Sequence, residues 1–394
     1  MQHNSSLIKP LFLLNPDIVF LNFGSFGACP RPIFEDYQTW QRKLESEPVQ
    51  FITNKGFEYL KVSRESLANY ANCLPDEIVF VVNPTYAVNT VAKSLDLREG
   101  DEILTTNLEY GATDRTWDFV CVERGAKYIR QPISLPLESK EKFINEFFDG
   151  VTEKTKLIFI SQITSATGLF LPVKEICAIA KEKGILTFID GAHVPGHIPL
   201  DLQKLDADFY TGACHKWMMT PKGSSFLMAR KSVQSLLKPL SVSWGYKSIS
   251  PSDSLFLDHH QMTGTRDFSA FLTIPKAIRF MEENNWEEVA NRCKELVLAN
   301  AQRFCDLVGT QPLAPLTKGF FGQLFSIPIN TTNPEKLKNT LYDVYKIEIP
   351  IAEQNGNYFL RYSIQGFNSQ EDLDYLYFAL NEIINNTDLI RVFI

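Results

Sequence analysis

The chain has 394 residues, 44% hydrophobic and 22% charged, enough to bury a large core as two domains or as one large domain with a lobe. Its formal charge of -7 argues against nucleic acid as a partner, because binding a phosphate backbone needs a surplus of Lys and Arg on one face. Seven scattered cysteines (Cys29, Cys73, Cys121, Cys177, Cys214, Cys293, Cys305) include no CxxC pair to begin a zinc or redox motif, so no metal site and a reducing, cytoplasmic setting are expected.

The N-terminal stretch MQHNSSLIKPLFLLNPD has an apolar patch from Leu11 to Leu14, too short and too soon interrupted for a signal core or a membrane span. Neither export nor a membrane anchor is expected. From Glu77 to Arg230, β-branched and aromatic runs alternate with helix-period stretches, the pattern of crossover units around a mainly parallel sheet. Strands are predicted at Ile78–Val82, Glu102–Thr105, Lys127–Gln131, Leu157–Ser161, Leu186–Asp190, Phe209–Thr211 and Ser225–Met228. Helices are predicted at Ala87–Leu95, Asp114–Arg124, Lys140–Phe148 and Val173–Lys183, the last opened by Pro172 and closed by Gly184.

Leu240 to Met262, with Trp244, Gly245, His259 and His260, reads as an irregular connection. From about Thr263 longer helices take over (Ala270–Asn284, Trp286–Val308). A strand at Gln323–Ile329, a helix near Pro334–Tyr345, a strand at Tyr358–Ile364 and a final helix from Gln370 follow. The fold class expected is α/β, with a large domain over residues 31–262 around a mainly parallel seven-stranded sheet and a smaller C-terminal α+β domain over 263–394.

The stretch from Ile185 to Lys216 carries most of the chemistry. One apolar strand ends in Asp190, and a second short strand leads into Lys216. Ligands of parallel α/β sheets collect at the carboxyl ends of strands, so these two side chains are expected to face one pocket. They are the pair that pyridoxal 5'-phosphate (PLP) requires: a lysine to bind the aldehyde as a Schiff base, and a carboxylate to keep the pyridine nitrogen protonated.

Five ordered motifs carry a resemblance: LNFGSFGACPRP (21–32), NPTYAVNTVAKSL (83–95), EYGA (109–112), DGAH (190–193) and CHKWMMTPKG (214–223). Together they resemble class V of the PLP-dependent enzymes (fold type I), a family that includes cysteine desulfurases, and within it the isopenicillin N epimerase-like branch. The resemblance spans nearly the whole chain. It implies that Lys216 is the Schiff-base lysine and that Lys222 is structural. It also implies that Asp190 pairs with the pyridine nitrogen, that His193 lies beside the phenolic oxygen and that His215 points toward the phosphate.

Asn83 to Tyr86 join a strand to a helix, so the amides of Thr85 and Tyr86 and the Thr85 hydroxyl are candidates for the phosphate, although Thr85 also reads as a simple N-cap. By resemblance Tyr110 lies over the pyridine face and Ser165 faces the ring, with Thr164 the alternative. Gly264 and Thr265 would reach the partner's phosphate across a homodimer, and Arg361 would grip the substrate carboxylate through its fork. Residues 1–30 would form a segment closing over substrate, with Asn22 and Ser25 in contact with it. Phe23 stands where similar chains have a histidine, which removes a proton-transfer group from that position.

The function this implies is a PLP-dependent enzyme acting at the α-carbon of an amino acid or amino-acid-like substrate, epimerase-like. A PLP-dependent carbon-sulfur lyase of the hercynylcysteine sulfoxide lyase kind is the alternative, followed by an aminotransferase. A PLP-free relic serving as a binding protein is the reading outside enzymology. A desulfurase that stores sulfur on its own thiol fits less well, because the last cysteine, Cys305, falls inside a predicted helix.

Overall fold

The computed structural model describes residues 8–392, so the first seven residues of the expected N-terminal segment and the last two of the C-terminal lobe lie outside it. Seven strands form the central sheet: Ile78–Val81 (β1), Glu102–Thr106 (β2), Lys127–Gln131 (β3), Thr155–Ser161 (β4), Leu186–Gly191 (β5), Phe209–Ala213 (β6) and Ser225–Ala229 (β7). Their spatial order is β1-β7-β6-β5-β4-β2-β3, and β7 alone runs opposite to the other six. The fold is therefore α/β with a mainly parallel sheet, as the alternation of runs predicts.

Successive side chains of a strand point to opposite faces, and here both faces are covered. In β4, Leu157 and Phe159 join the cluster on one face while Ile158 and Ile160 join that on the other. Phe188 and Ile189 divide in the same way in β5. Only the edge strand β3 is largely uncovered.

The helices that matter for the site are Pro84–Ser94 (α1) and Gly111–Arg124 (α2). Both begin three residues earlier than periodicity predicts. Pro84 fits the first helical turn of α1, where its missing N–H costs nothing, and Asn83 caps it by accepting from the Tyr86 amide at 2.8 Å. The single helix predicted over Ala270–Asn284 is instead Ser269–Leu272 followed by Ile274–Glu283. Pro275 is the physical reason, since it lacks a donor and clashes with the carbonyl four residues back.

In the C-terminal region, Leu324–Ile329 (β8), Ile351–Gln354 (β9) and Asn357–Ser363 (β10) form an antiparallel sheet ordered β9-β10-β8. It packs on Trp286–Val308 (α3). β9 was not predicted. The N-terminal segment crosses to this lobe: Val19–Phe20 pairs in parallel with Ile347–Glu348, and the Ser363 amide donates to the Leu21 carbonyl at 2.8 Å. That pairing delivers residues 22–27 to the end of β10, above Arg361.

Candidate active site

The carboxyl ends of β4, β5 and β6, the start of α1 and the N-terminal segment enclose a cavity of about 330 Å³. Ser25, Thr85, Tyr110, Ser165, Asp190, His193, His215, Lys216 and Arg361 all line it. These residues come from seven separate stretches of sequence. Parallel pairing in register, Ser161 beside Asp190 and Asp190 beside Thr211, places their strand ends side by side.

Lys216 follows β6 in a turn held by the Ser224 carbonyl, which accepts from the amides of Cys214 and His215. The turn is also pinned by Gly27. With φ at +64°, a Cβ there would lie 2.4 Å from the His215 carbonyl oxygen and 2.6 Å from that of Lys216, so only glycine lets the N-terminal segment lie against it. Lys222 donates to the Gly27 carbonyl at 3.0 Å and has a structural task.

The Lys216 Nζ sits 3.1 Å from His193 Nε2. Burial pushes the amine down to about 8, the Arg361 cation adds to that, and Asp190 opposes it. Asp190 is buried, which raises its carboxyl against the lowering effects of the Ala192 amide, 2.9 Å from Oδ1, and of Lys216. Burial lowers His193 strongly, with Lys216, Arg361, His197 and His215 adding to it. His215, brought down to about 4 chiefly by burial, has Nδ1 2.9 Å from the Ser224 carbonyl.

Arg361 ends inside the cavity from β10 and is only 5% exposed. Its Nη1 donates to the Ser165 carbonyl at 2.5 Å and to Ser165 Oγ at 3.3 Å, and its Nη2 donates to Ser25 Oγ at 2.8 Å. Nε is buried with no hydrogen-bond partner. No acid pairs with this guanidinium among the described residues, and burial brings it down to about 10.

Four expected residues, Tyr86, Asn22, Gly264 and Thr265, do not line this cavity. The Tyr86 amide is already committed to Asn83 Oδ1, so of the two amides proposed for a phosphate only that of Thr85 is left free by the cap. Asn22 accepts from Ser25 Oγ and thereby orients Ser25. Gly264 and Thr265 are exposed and take no part in lining the cavity of their own chain. Thr164, the alternative to Ser165, is buried in its turn, with Oγ1 2.6 Å from Thr167 Oγ1 and accepting from the Leu169 amide. Phe23 packs on Trp217 and Phe367 and is fully buried.

Sequence reasoning missed two buried residues behind the wall. Glu109, in the EYGA motif, accepts from Thr106 Oγ1 at 2.8 Å and from the amide and hydroxyl of Ser161, a cavity-lining residue; burial pushes its carboxyl up to about 8. Trp217 places its indole N–H 3.3 Å from His193 Nδ1. The motifs contained both residues, but only strand register shows what they touch.

The family model for class-V aminotransferases matches residues 34–376. The chain belongs to the class-V aminotransferase family. It is 33% identical over 385 residues to isopenicillin N epimerase of Amycolatopsis lactamdurans, covering 94% of this chain and 96% of the relative. It is 28% identical over 404 residues to putative L-cysteine desulfhydrase 1 of Oryza sativa subsp. japonica, covering 92% and 83%. A solved structure of C-DES with glycine covalently linked to its PLP cofactor matches with a TM-score of 0.77 at 20% identity, over 93% of this chain and 97% of that one. This class-V chain is accordingly a PLP-dependent enzyme.

The cavity fits that cofactor. It offers a primary amine, a buried carboxylate on the adjoining strand, a capped helix N-terminus with a free amide and hydroxyl at Thr85, and an aromatic ring at Tyr110.

Proposed function

We propose that this chain acts at the α-carbon of an amino acid or amino-acid-like substrate and inverts it, as the name of its epimerase relative describes for that protein. One observation carries the substrate class: the buried Arg361 guanidinium, without an acidic partner among the described residues and with its Nε unsatisfied, in the same cavity as Lys216. A desolvated cation is costly, and a carboxylate that accepts from its fork offsets the cost.

In this reading Lys216 is the attachment point of the cofactor and Asp190 the partner of its ring nitrogen. Thr85 and His215 face the phosphate, Tyr110 covers the ring, and His193 and Ser165 hydrogen-bond at the phenolic side. When bound, PLP supplies an electron-accepting ring that stabilises negative charge at the substrate's α-carbon. Lys216, neutral above about pH 8, takes the α-proton from one face, and inversion follows when a proton is delivered to the opposite face. Arg361 and Ser25 hold the carboxylate, and Phe26 with its glycine-flanked segment covers the mouth of the cavity.

A second reading, a carbon-sulfur lyase, is supported by the similarity to the desulfhydrase. No cysteine lines the cavity, and Cys305 is buried in α3 with its thiol pushed up to about 12, so released sulfur would leave without passing through an enzyme thiol. Incubation with amino-acid pools in heavy water separates the two. Deuterium at the α-carbon with inversion supports the epimerase, whereas pyruvate with ammonia or sulfide supports the lyase and refutes inversion as the reaction.

The proposal extends to a homodimer, with Gly264 and Thr265 serving the partner's phosphate. Support comes from their exposure and from uncovered apolar side chains in the connection that precedes them in sequence, Trp244 at 76% and Ile249 at 94%. Light scattering on the purified protein tests the dimer, and a monomer with full activity refutes it. A cytoplasmic location is supported by seven unpaired cysteines, while among the described residues no helix is long and apolar enough to cross a membrane.

A further inference from the structure

We propose that Trp217 is a positioning residue: its indole N–H fills the Nδ1 lone pair of His193 and fixes that imidazole with its one proton on Nε2, facing Lys216. An indole N–H can only donate, so at 3.3 Å the Nδ1 it meets is bare. A neutral imidazole with a bare Nδ1 carries its proton on Nε2. That N–H points at Lys216 Nζ, 3.1 Å away, and two donors do not share a hydrogen bond. The contact therefore selects the neutral amine of Lys216, the nucleophilic form.

The indole is itself held on several sides. His197 stacks on it at 4.2 Å with the planes 28° apart, and Phe23 packs on it at 5.2 Å. His197 cannot rotate freely, because Nδ1 bonds the His193 carbonyl at 3.0 Å and Nε2 accepts the Gln323 amide at 2.8 Å. At Gly196, with φ at +83°, a Cβ would lie 2.3 Å from the Trp217 carbonyl, so the turn between β5 and β6 closes directly on the tryptophan backbone. Phe23 matters here for what it lacks: a hydrocarbon ring offers the indole N–H no competing acceptor.

Other charged and titratable groups facing this pair are Asp190 on β5, Arg361 on β10, His215 beside Lys216, and His197. Of these only Asp190 favours the ammonium form of Lys216, while Arg361 disfavours it. His193 is disfavoured as an imidazolium by burial and by all its cationic neighbours. With the indole in place, protonating Nδ1 would also set N–H against N–H. At the cofactor the same lock presents an N–H donor, not a lone pair, toward the phenolic side. That last consequence rests on the reading of Lys216 as the attachment point; the tautomer does not.

The test is proton-nitrogen correlation NMR on the protein labelled with ¹⁵N-histidine, the His193 signals being identified by their loss in His193→Gln. Nε2 protonated and Nδ1 bare is the expected result. Trp217→Phe keeps the stack and deletes the donor. It should shift the tautomer ratio toward Nδ1–H by about fivefold and move the half-point of the pH-dependent rate of PLP capture upward by about half a unit or more. A wild-type His193 protonated at Nδ1 overturns the proposal without any variant having to fold. So does a folded Trp217→Phe protein with both the ratio and the pH profile unchanged. PLP capture by a residue other than Lys216 would instead sink the functional reading and leave the tautomer result standing.

Discussion

Replacing Arg361 with Met should remove function at little cost in stability, and the structure sets both magnitudes. A guanidinium fork gives a substrate carboxylate two charge-assisted hydrogen bonds, each worth about 1.5–3 kcal/mol. Losing both corresponds to a fall in kcat/KM on the order of 10²–10⁴. On the stability side, Arg361→Met leaves the Ser165 carbonyl and the Ser25 hydroxyl without their donor, a loss of about 1–2 kcal/mol for each group.

Against that stands the cost of keeping the cation buried. Its fall to about 10 from the ordinary arginine value corresponds to roughly 3 kcal/mol that folding loses by holding the charge out of water. The two sides nearly cancel, so the melting temperature should stay within a few degrees of wild type. The assay pairs a thermal melt with the rate of α-deuterium incorporation from heavy water across an amino-acid series. A variant that melts about 10 °C lower yet keeps its preference for α-carboxylates would show that the guanidinium is a structural strut, and the substrate argument would fail.

Lys216→Ala should abolish the visible, borohydride-fixable adduct with PLP and lower turnover by at least about 10³, whereas Lys222→Met should keep the adduct and lose only about 1 kcal/mol from its bond to Gly27. Mapping the reduced adduct by mass spectrometry checks both. In wild type, the rate of PLP capture should rise with pH and reach half its maximum near 8, because burial and Arg361 lower the amine and the neutral form, present above that value, is the nucleophile; a half-point near the ordinary lysine value refutes this. Gly27→Ala combines a left-handed φ with a clash against the His215 carbonyl, and should cost about 2–5 kcal/mol in a denaturant melt. Asn83→Ala removes the α1 cap and should cost about 1 kcal/mol, read in the same melt.

The parallel sheet was legible in the sequence because strands buried on both faces must be written as near-continuous apolar runs, and a run that ends in Asp190 or leads to Lys216 announces its chemistry. Neighbouring parallel strands bring their ends together whatever their loops do, so the cavity wall followed from strand order alone. The hydrogen-bond directions did not. Trp217 meets His193, and Glu109 meets Ser161, only because segments 24 and 52 residues apart are set in one register. Asn83 took the Tyr86 amide because Pro84 starts α1 a turn earlier than hydrophobic periodicity shows. Residue types at strand ends therefore announce which reaction class a fold of this kind supports, while the protonation state of each group is fixed by partners that no local pattern reveals. In this chain that partner is an indole adjacent to Lys216 in sequence, yet it reaches that lysine only by way of His193, in the turn that follows β5.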